Sequence, residues 1–186
     1  MIKKGSYGYI RSCRIRKTVL ALLLTAAAAL VYFGARYHFQ TSKNIFTIMA
    51  ALMCLPAGRA ILDVVMFFRA PFCSEEAMKE IEERIGKAPG AYDLYLTTYE
   101  KNFSLSHACV SSGSVLALTE DSRCDIAGAQ AHIRRSMETD GIKGYTIKVF
   151  SDRAKYLQRL SDISAKDLPK DPHADRILNL LKQISL

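Results

Sequence analysis

Two long apolar runs dominate the first third of the chain. Thr18 to Ala35 (TVLALLLTAAAALVYFGA) carries no charge, and Ile45 to Phe68 (IFTIMAALMCLPAGRAILDVVMFF) carries only Arg59 and Asp63. A bilayer core of about 30 Å takes roughly 20 mostly apolar residues as helix, and runs of about 18 or more are spanning candidates. Both runs qualify, and the polar stretch Arg36–Asn44 between them is short, so residues 18–68 read as a two-helix transmembrane hairpin. Pro56 removes a backbone donor and Gly58 loosens the same turn, which predicts a kink in the second helix. Arg59 and Asp63 stand four residues apart on one helical face and are expected to form a membrane ion pair. At 1.5 Å per residue, Arg59 lies about 21 Å in from Ile45, near enough to one surface for its guanidinium to snorkel out. The small-residue tract Ala26–Ala29 suits close packing against Ala50, Ala51 or Ala57.

After Phe68 the pattern changes to short amphipathic elements. Ser74 with Glu75 and Glu76 opens a helix whose stripe is Met78, Ile81 and Ile85, and GKAPG (86–90) closes it. Tyr92 to Thr98 alternates as a strand, with Leu94 and Leu96 on one face. Glu100-Lys101-Asn102 makes a turn, and Phe103 to Val110 alternates again, with Phe103, Leu105, His107 and Cys109 expected together. Ser111-Ser112-Gly113 signals a hairpin into Ser114–Leu118, so the three strands read as an antiparallel meander. Asp125 caps a helix over 126–139 with Gly141 as its stop, Tyr145 to Phe150 is a fourth strand, and Asp152 caps a helix over 153–163. The polar stretch 164–173 leads to a last helix over 174–184. The order α-β-β-β-α-β-α-α predicts an α+β domain over residues 70–186, with helices covering a four-stranded sheet.

Charge changes the picture once it is divided by segment. The net +8 of the 186 residues suggests nucleic acid at first sight. Yet residues 1–68 hold nine Lys/Arg against one acid, and the remainder holds 17 of each sign. The excess belongs to the membrane end, so basicity is a topology signal and no nucleic acid is expected as partner. Six bases and no acid in residues 1–17 (MIKKGSYGYIRSCRIRK) predict a basic N-terminus held in the cytoplasm. The loop 36–44 then faces outward and the α+β domain returns to the cytoplasm, giving a multi-pass protein of the inner or plasma membrane with both termini cytoplasmic. Tyr32, Phe33, Tyr37 and Phe39 suit an aromatic belt at the outer end. A signal peptide is disfavoured because the run continues through bulky Val31-Tyr32-Phe33 and a second span follows at once. Five scattered cysteines without C-x-x-C make neither a disulfide framework nor a zinc knuckle, and read as free thiols in a reducing compartment.

Candidate chemistry is sparse. His107 and Cys109 share a strand face at i, i+2, an arrangement open to a thiolate pair or half a metal site, with a core histidine as the plainer reading. Glu120, Asp121 and Asp125 cluster after the third strand, where a solvated turn and a helix cap account for them. There is no P-loop, G-x-S-x-G or H-E-x-x-H. No catalytic residue, metal ligand or cofactor is expected. The order α-β-β-β-α-β resembles the core of the restriction-endonuclease-like nucleases, in which an Asp begins the second strand and a Glu/Asp-x-Lys on the third completes a magnesium site. Here Asp93 begins the first strand, and Ser114–Leu118 holds neither the acid nor the lysine. That resemblance implies at most a catalytically degenerate relative. The basic N-terminus, the hairpin with Pro-Ala-Gly and the segment YDLYLTTYEKNF together resemble small uncharacterised bacterial two-helix membrane proteins.

Taken together, these features lead to the expectation of a membrane-anchored cytoplasmic interaction or accessory domain. Its expected partners are the lipid bilayer and another protein. Two alternatives differ in kind: a metal-dependent, nuclease-like hydrolase using Asp93 and the Glu120/Asp121 cluster, and a transporter accessory subunit in which the hairpin itself works.

Overall fold

Apolar periodicity in the first 70 residues yields two long helices, and the shorter patterns beyond them yield a mixed sheet between helices. The computed structural model describes residues 2–40, 45–86, 88–99, 101–111, 113–165 and 171–186. Expectations resting on Lys43 and the rest of the loop tip 41–44, on Lys87, Glu100 and Ser112, on the Phe39 side chain, or on residues 166–170 lie outside the described residues. In chain order the elements are α1 (Tyr9–Phe39), α2 (Ile45–Arg69), α3 (Glu75–Ile85), β1 (Gly90–Thr97), β2 (Asn102–Ser111), β3 (Ser114–Leu118), α4 (Ile126–Thr139), β4 (Thr146–Phe150), α5 (Arg153–Ala165) and α6 (Ala174–Gln183). The expected element order is the observed one. The chain divides into two units, Arg11–Arg69 and Met1–Ile10 with Ala70–Leu186.

Within Arg11–Arg69, α1 and α2 meet along their smallest residues. Ala21, Ala28 and Ala35 are buried at seven-residue intervals on α1, and Ala50, Ala57 and Ala60 are buried on α2 at spacings of seven and three. A side chain no larger than a methyl lets two backbones approach closely, and a seven-residue repeat keeps the seam on one face of each helix. Of the residues named for this packing, Ala28, Ala50 and Ala57 are in the seam, whereas Ala26 and Ala51 face outward. Large side chains point away from the seam: Leu22, Leu30 and Leu55 are each about two-thirds exposed or more. α2 runs on through Pro56 as one helix. α1 begins at Tyr9, nine residues before its apolar run.

The α+β unit has three layers. Its sheet order is β1-β2-β3-β4, antiparallel from β1 to β3 and parallel between β3 and β4. One face carries α4 and α6, through Ile133, Met137, Ile177 and Leu181 against Leu94, Leu105, Val115 and Val149. The other carries α3 and α5, through Ile81, Tyr156 and Leu160 against Leu116, Leu118 and Cys109. Each fully buried side chain of this size contributes roughly 1.5–3 kcal/mol. The helix ends follow the sequence signals. Ser74 accepts from Ala77 N, Asp125 from Gly128 N, and Asp152 from Ala154 N. At the end of α4, Gly141 takes φ of 78°, Gly141 N donates to Glu138 O, and Ile142 N donates to Met137 O at 2.8 Å. That is a Schellman closure, with Ile142 buried beside Met137.

The alternation in β1 and β2 departs from a simple two-residue period. Phe103 and Leu105 face the α4/α6 layer, while His107 and Cys109 face α3/α5. The expected grouping of all four on one face is therefore corrected. The cause lies at Asp93, whose φ of 54° is left-handed for a residue inside a strand. Ala91 faces α4/α6 before it and Leu94 after it, so the alternation slips by one. β2 slips at Ser106 opposite, between the pairs Tyr92–His107 and Leu94–Leu105. The outer edge of β1 is covered: Tyr92 N donates to Gly5 O, Thr97 N to Ile184 O and Leu186 N to Tyr95 O.

Candidate functional site

Polar groups gather where β1 slips. Asp93 is buried at 3 % exposure, and its two oxygens point to opposite ends of the sequence that flanks the helix pair. Oδ2 accepts from Gly8 N at 2.8 Å, immediately before α1, and Oδ1 accepts from Cys73 N at 2.9 Å, four residues after α2. Tyr9 N and Ile10 N bear on the same carboxylate, so Asp93 caps the first turn of α1, where unsatisfied N–H groups and the helix dipole favour negative charge. Burial pushes its carboxyl up from the ordinary value, and the N–H groups of Cys73, Gly8, Ile10 and Tyr9 pull it back without cancelling that rise. Asp has a short acceptor side chain that tolerates the left-handed region, which suits this strained position.

Glu120 grips the next residue along. Its two oxygens accept from Ser74 N at 3.0 Å and Ser74 Oγ at 2.7 Å. Asp93 and Glu120 thus converge on the consecutive residues Cys73 and Ser74, and both spend their lone pairs on fixing the start of α3. Asp121 accepts from Arg123 N, and Asp125 caps α4 while pairing with Lys101 at 3.0 Å. Among the described residues, no three His, Cys, Asp or Glu side chains gather as a metal site would require.

His107 lies in the α3/α5 layer, fully buried. Its Nδ1 is 2.6 Å from the Tyr156 hydroxyl, its ring is 4.5 Å from that of Tyr92, and its Nε2 has no hydrogen-bond partner. Gly90 makes room for it, because a Cβ there would sit 2.5 Å from Nε2. Burial lowers the imidazole to about 3, so it is neutral at physiological pH, and one hydrogen bond joins its Nδ1 to the phenol. Cys109 and Cys73 in the same layer are pushed up to about 12, Cys109 by burial and Cys73 by burial and then by Glu120 and Asp93. Thiols held protonated this firmly are poor nucleophiles.

The expected Arg59–Asp63 pair is replaced. Asp63 Oδ2 lies 2.7 Å from Nζ of Lys17 on α1. Arg14 Nε donates to Phe67 O at 2.9 Å, and its guanidinium covers the Phe68 ring at 5.5 Å. Two antiparallel helices joined by a short loop set residues equidistant from the loop at one height, and Lys17 and Asp63 each stand about 23 residues from its centre. Arg preceding Asp by four is also the less favourable order on a helix. Arg59 is exposed. The symmetry about the loop is a sequence signal that would have named Lys17. Nothing local identifies Tyr156 as the partner of His107, or Ser74 as that of Glu120, since each pair is formed by tertiary packing.

Compared with protein-family models, curated proteins and solved structures, this chain has no match.

Proposed function

We propose that the protein is a membrane-anchored interaction or accessory protein. In this reading α1 and α2 cross the inner or plasma membrane as a hairpin. Both termini are cytoplasmic, and the α+β unit works through contacts with another protein. The observation that carries it is the surface of the helix pair. Ile48, Leu52, Leu55 and Leu62 on α2, with Leu22, Leu23, Leu30 and Phe33 on α1, are all exposed. On α2 this apolar surface extends from Ile45 to Phe68, about 34 Å at the helical rise, matching a hydrocarbon core of about 30 Å. Water does not tolerate so long an apolar face, and lipid does. Lys and Arg concentrate at one end of it, which supports a cytoplasmic location for that end.

Membrane insertion is tested by alkaline carbonate extraction of membranes from cells making a C-terminally tagged protein, and orientation by protease added outside intact cells. The expected result is retention in the membrane pellet with the tag protected. Extraction into the supernatant, or loss of the tag in intact cells, overturns the reading.

A hydrolase reading has one observation in its favour, the sheet order with β3 and β4 parallel beneath helices on both faces. It requires a metal near Asp93 and Glu120. Manganese titration of the full-length protein followed by thermal melting separates the two, with no shift expected for the interaction protein.

A further inference from the structure

We propose that the arginine-bearing end of the helix pair is a binding surface for the headgroups of anionic phospholipids. This rests on the membrane reading above and goes beyond it by naming the lipid class. Two bonds set the height of each residue at this end: Arg14 to the carbonyl of Phe67, and Lys17 to the carboxylate of Asp63. Those two cations are used within the protein. They join α1 to α2, and Lys17 neutralises the one acid of the pair.

Four guanidinium groups are left over. Arg11, Arg16, Arg59 and Arg69 are exposed, and none of their side chains has an ion pair or hydrogen bond among the described residues. The register places Arg11 and Arg69 level with each other. Arg16 lies about 7.5 Å closer to the bilayer centre than Arg11, and Arg59 about 6 Å beyond Asp63. They are interleaved with exposed Ile15, Leu20, Leu62 and Phe68. An arginine set beside exposed aliphatic side chains meets acyl chain along its stem and phosphate at its head. Its planar fork binds two phosphate oxygens at once. The one acid of the helix pair, Asp63, is already paired with Lys17, so the bilayer supplies the counter-charge, and a zwitterionic headgroup supplies none in net terms. Each basic residue near an anionic surface is worth about fivefold in partition. The opposite end carries Arg36 and His38 among the described residues, so the preference belongs to one leaflet.

The experiment uses the full-length protein in nanodiscs of equal phosphatidylglycerol and phosphatidylcholine, with retained lipids counted by native mass spectrometry. The expected result is severalfold enrichment of phosphatidylglycerol over the bulk ratio. The enrichment falls to parity in R11Q/R16Q/R59Q/R69Q and falls in part in R11Q/R16Q, whose changes lie outside the apolar run and spare insertion. Arg→Lys at the same four positions keeps most of it. Insertion with both lipids at the bulk ratio overturns the proposal while leaving the anchor intact. Full enrichment in R11Q/R16Q/R59Q/R69Q also overturns it, as does displacement of phosphatidylglycerol by inorganic phosphate, which would make the site one for the free ion. Failure to insert at all removes the anchor and the proposal together.

Discussion

Asp93 concentrates more consequence than any other side chain in the α+β unit. It is at once a left-handed residue in a strand, a buried carboxylate and the acceptor for backbone groups on both sides of the helix pair. Replacing it by Ala leaves the buried Cys73 N without a partner, at about 1–3 kcal/mol, and removes the acceptor of the half-buried Gly8 N at the start of α1. Asp93→Ala is therefore expected to lower stability by several kcal/mol in a denaturant titration, and Asp93→Asn by less, because its amide oxygen still accepts. His107 offers a test through pH. Its imidazole is lowered to about 3 in the fold and returns to its ordinary value near 6.5 on unfolding, so the unfolded chain binds more protons between those limits. Its stabilising contribution is complete above pH 6.5 and is lost as pH falls toward 3, with a slope of up to about 1.4 kcal/mol per pH unit. His107→Leu should flatten that slope, and the wild-type imidazole resonances of His107 should stay fixed between pH 5 and 8. At this scale the sequence was only partly legible. Ser74, Asp125 and Gly141 announce their roles because caps are local chemistry. Asp93 does not, because the groups it serves are 85 and 20 residues away.

At the scale of elements, order and type follow from the chain, because hydrophobic period and turn residues act over a few positions. Phase does not. β2 reads FSLSHACV with uninterrupted alternation, and all eight of those residues are buried, so the sequence holds no sign of the slip at Ser106. The slip is imposed by the neighbouring strand through Asp93, and it decides that His107 meets Tyr156 on α5 rather than α4. The α1–α2 seam was better signalled, since runs of alanine among leucines mark where two helices can touch. Enlarging that seam is expected to separate them. Ala57→Leu should cost about 1–3 kcal/mol by overpacking, read as a lower midpoint when the protein in mild detergent is titrated with dodecyl sulfate. Leu55→Ala, on an exposed face of the same helix, should leave the midpoint unchanged.

For the whole molecule, charge was the most informative quantity in the sequence once divided by segment. It separates a basic helix pair from a neutral α+β unit, and the structure makes a division close to that one. It also predicts the chemistry of labelling. Maleimide added to the folded protein should spare Cys73 and Cys109, whose thiols are held protonated and buried, and should reach all five cysteines only after denaturation. Early modification of either buried thiol in the native state would mean that the α3/α5 layer opens more readily than its packing implies.

The division carries a further consequence for how the chain acquires its fold. Residues 2–10 belong with residues 70–186 and not with the helices they adjoin, so the helix pair is an insertion within the α+β unit. Gly5 and Gly8 leave the ribosome first, and they find their partners, Tyr92 and Asp93, only after the intervening helices and β1 have been made. Bringing such distant segments together costs loop-closure entropy that grows with the logarithm of the separation. That cost falls once α1 and α2 pair, because the hairpin carries the two ends back toward each other. Assembly of the α+β unit is thus a late event, timed by the helices that interrupt it. A fragment starting at Ala70 would keep the C-terminal cover of β1 at Tyr95 and Thr97 but leave Tyr92 N without Gly5 and Asp93 half-served.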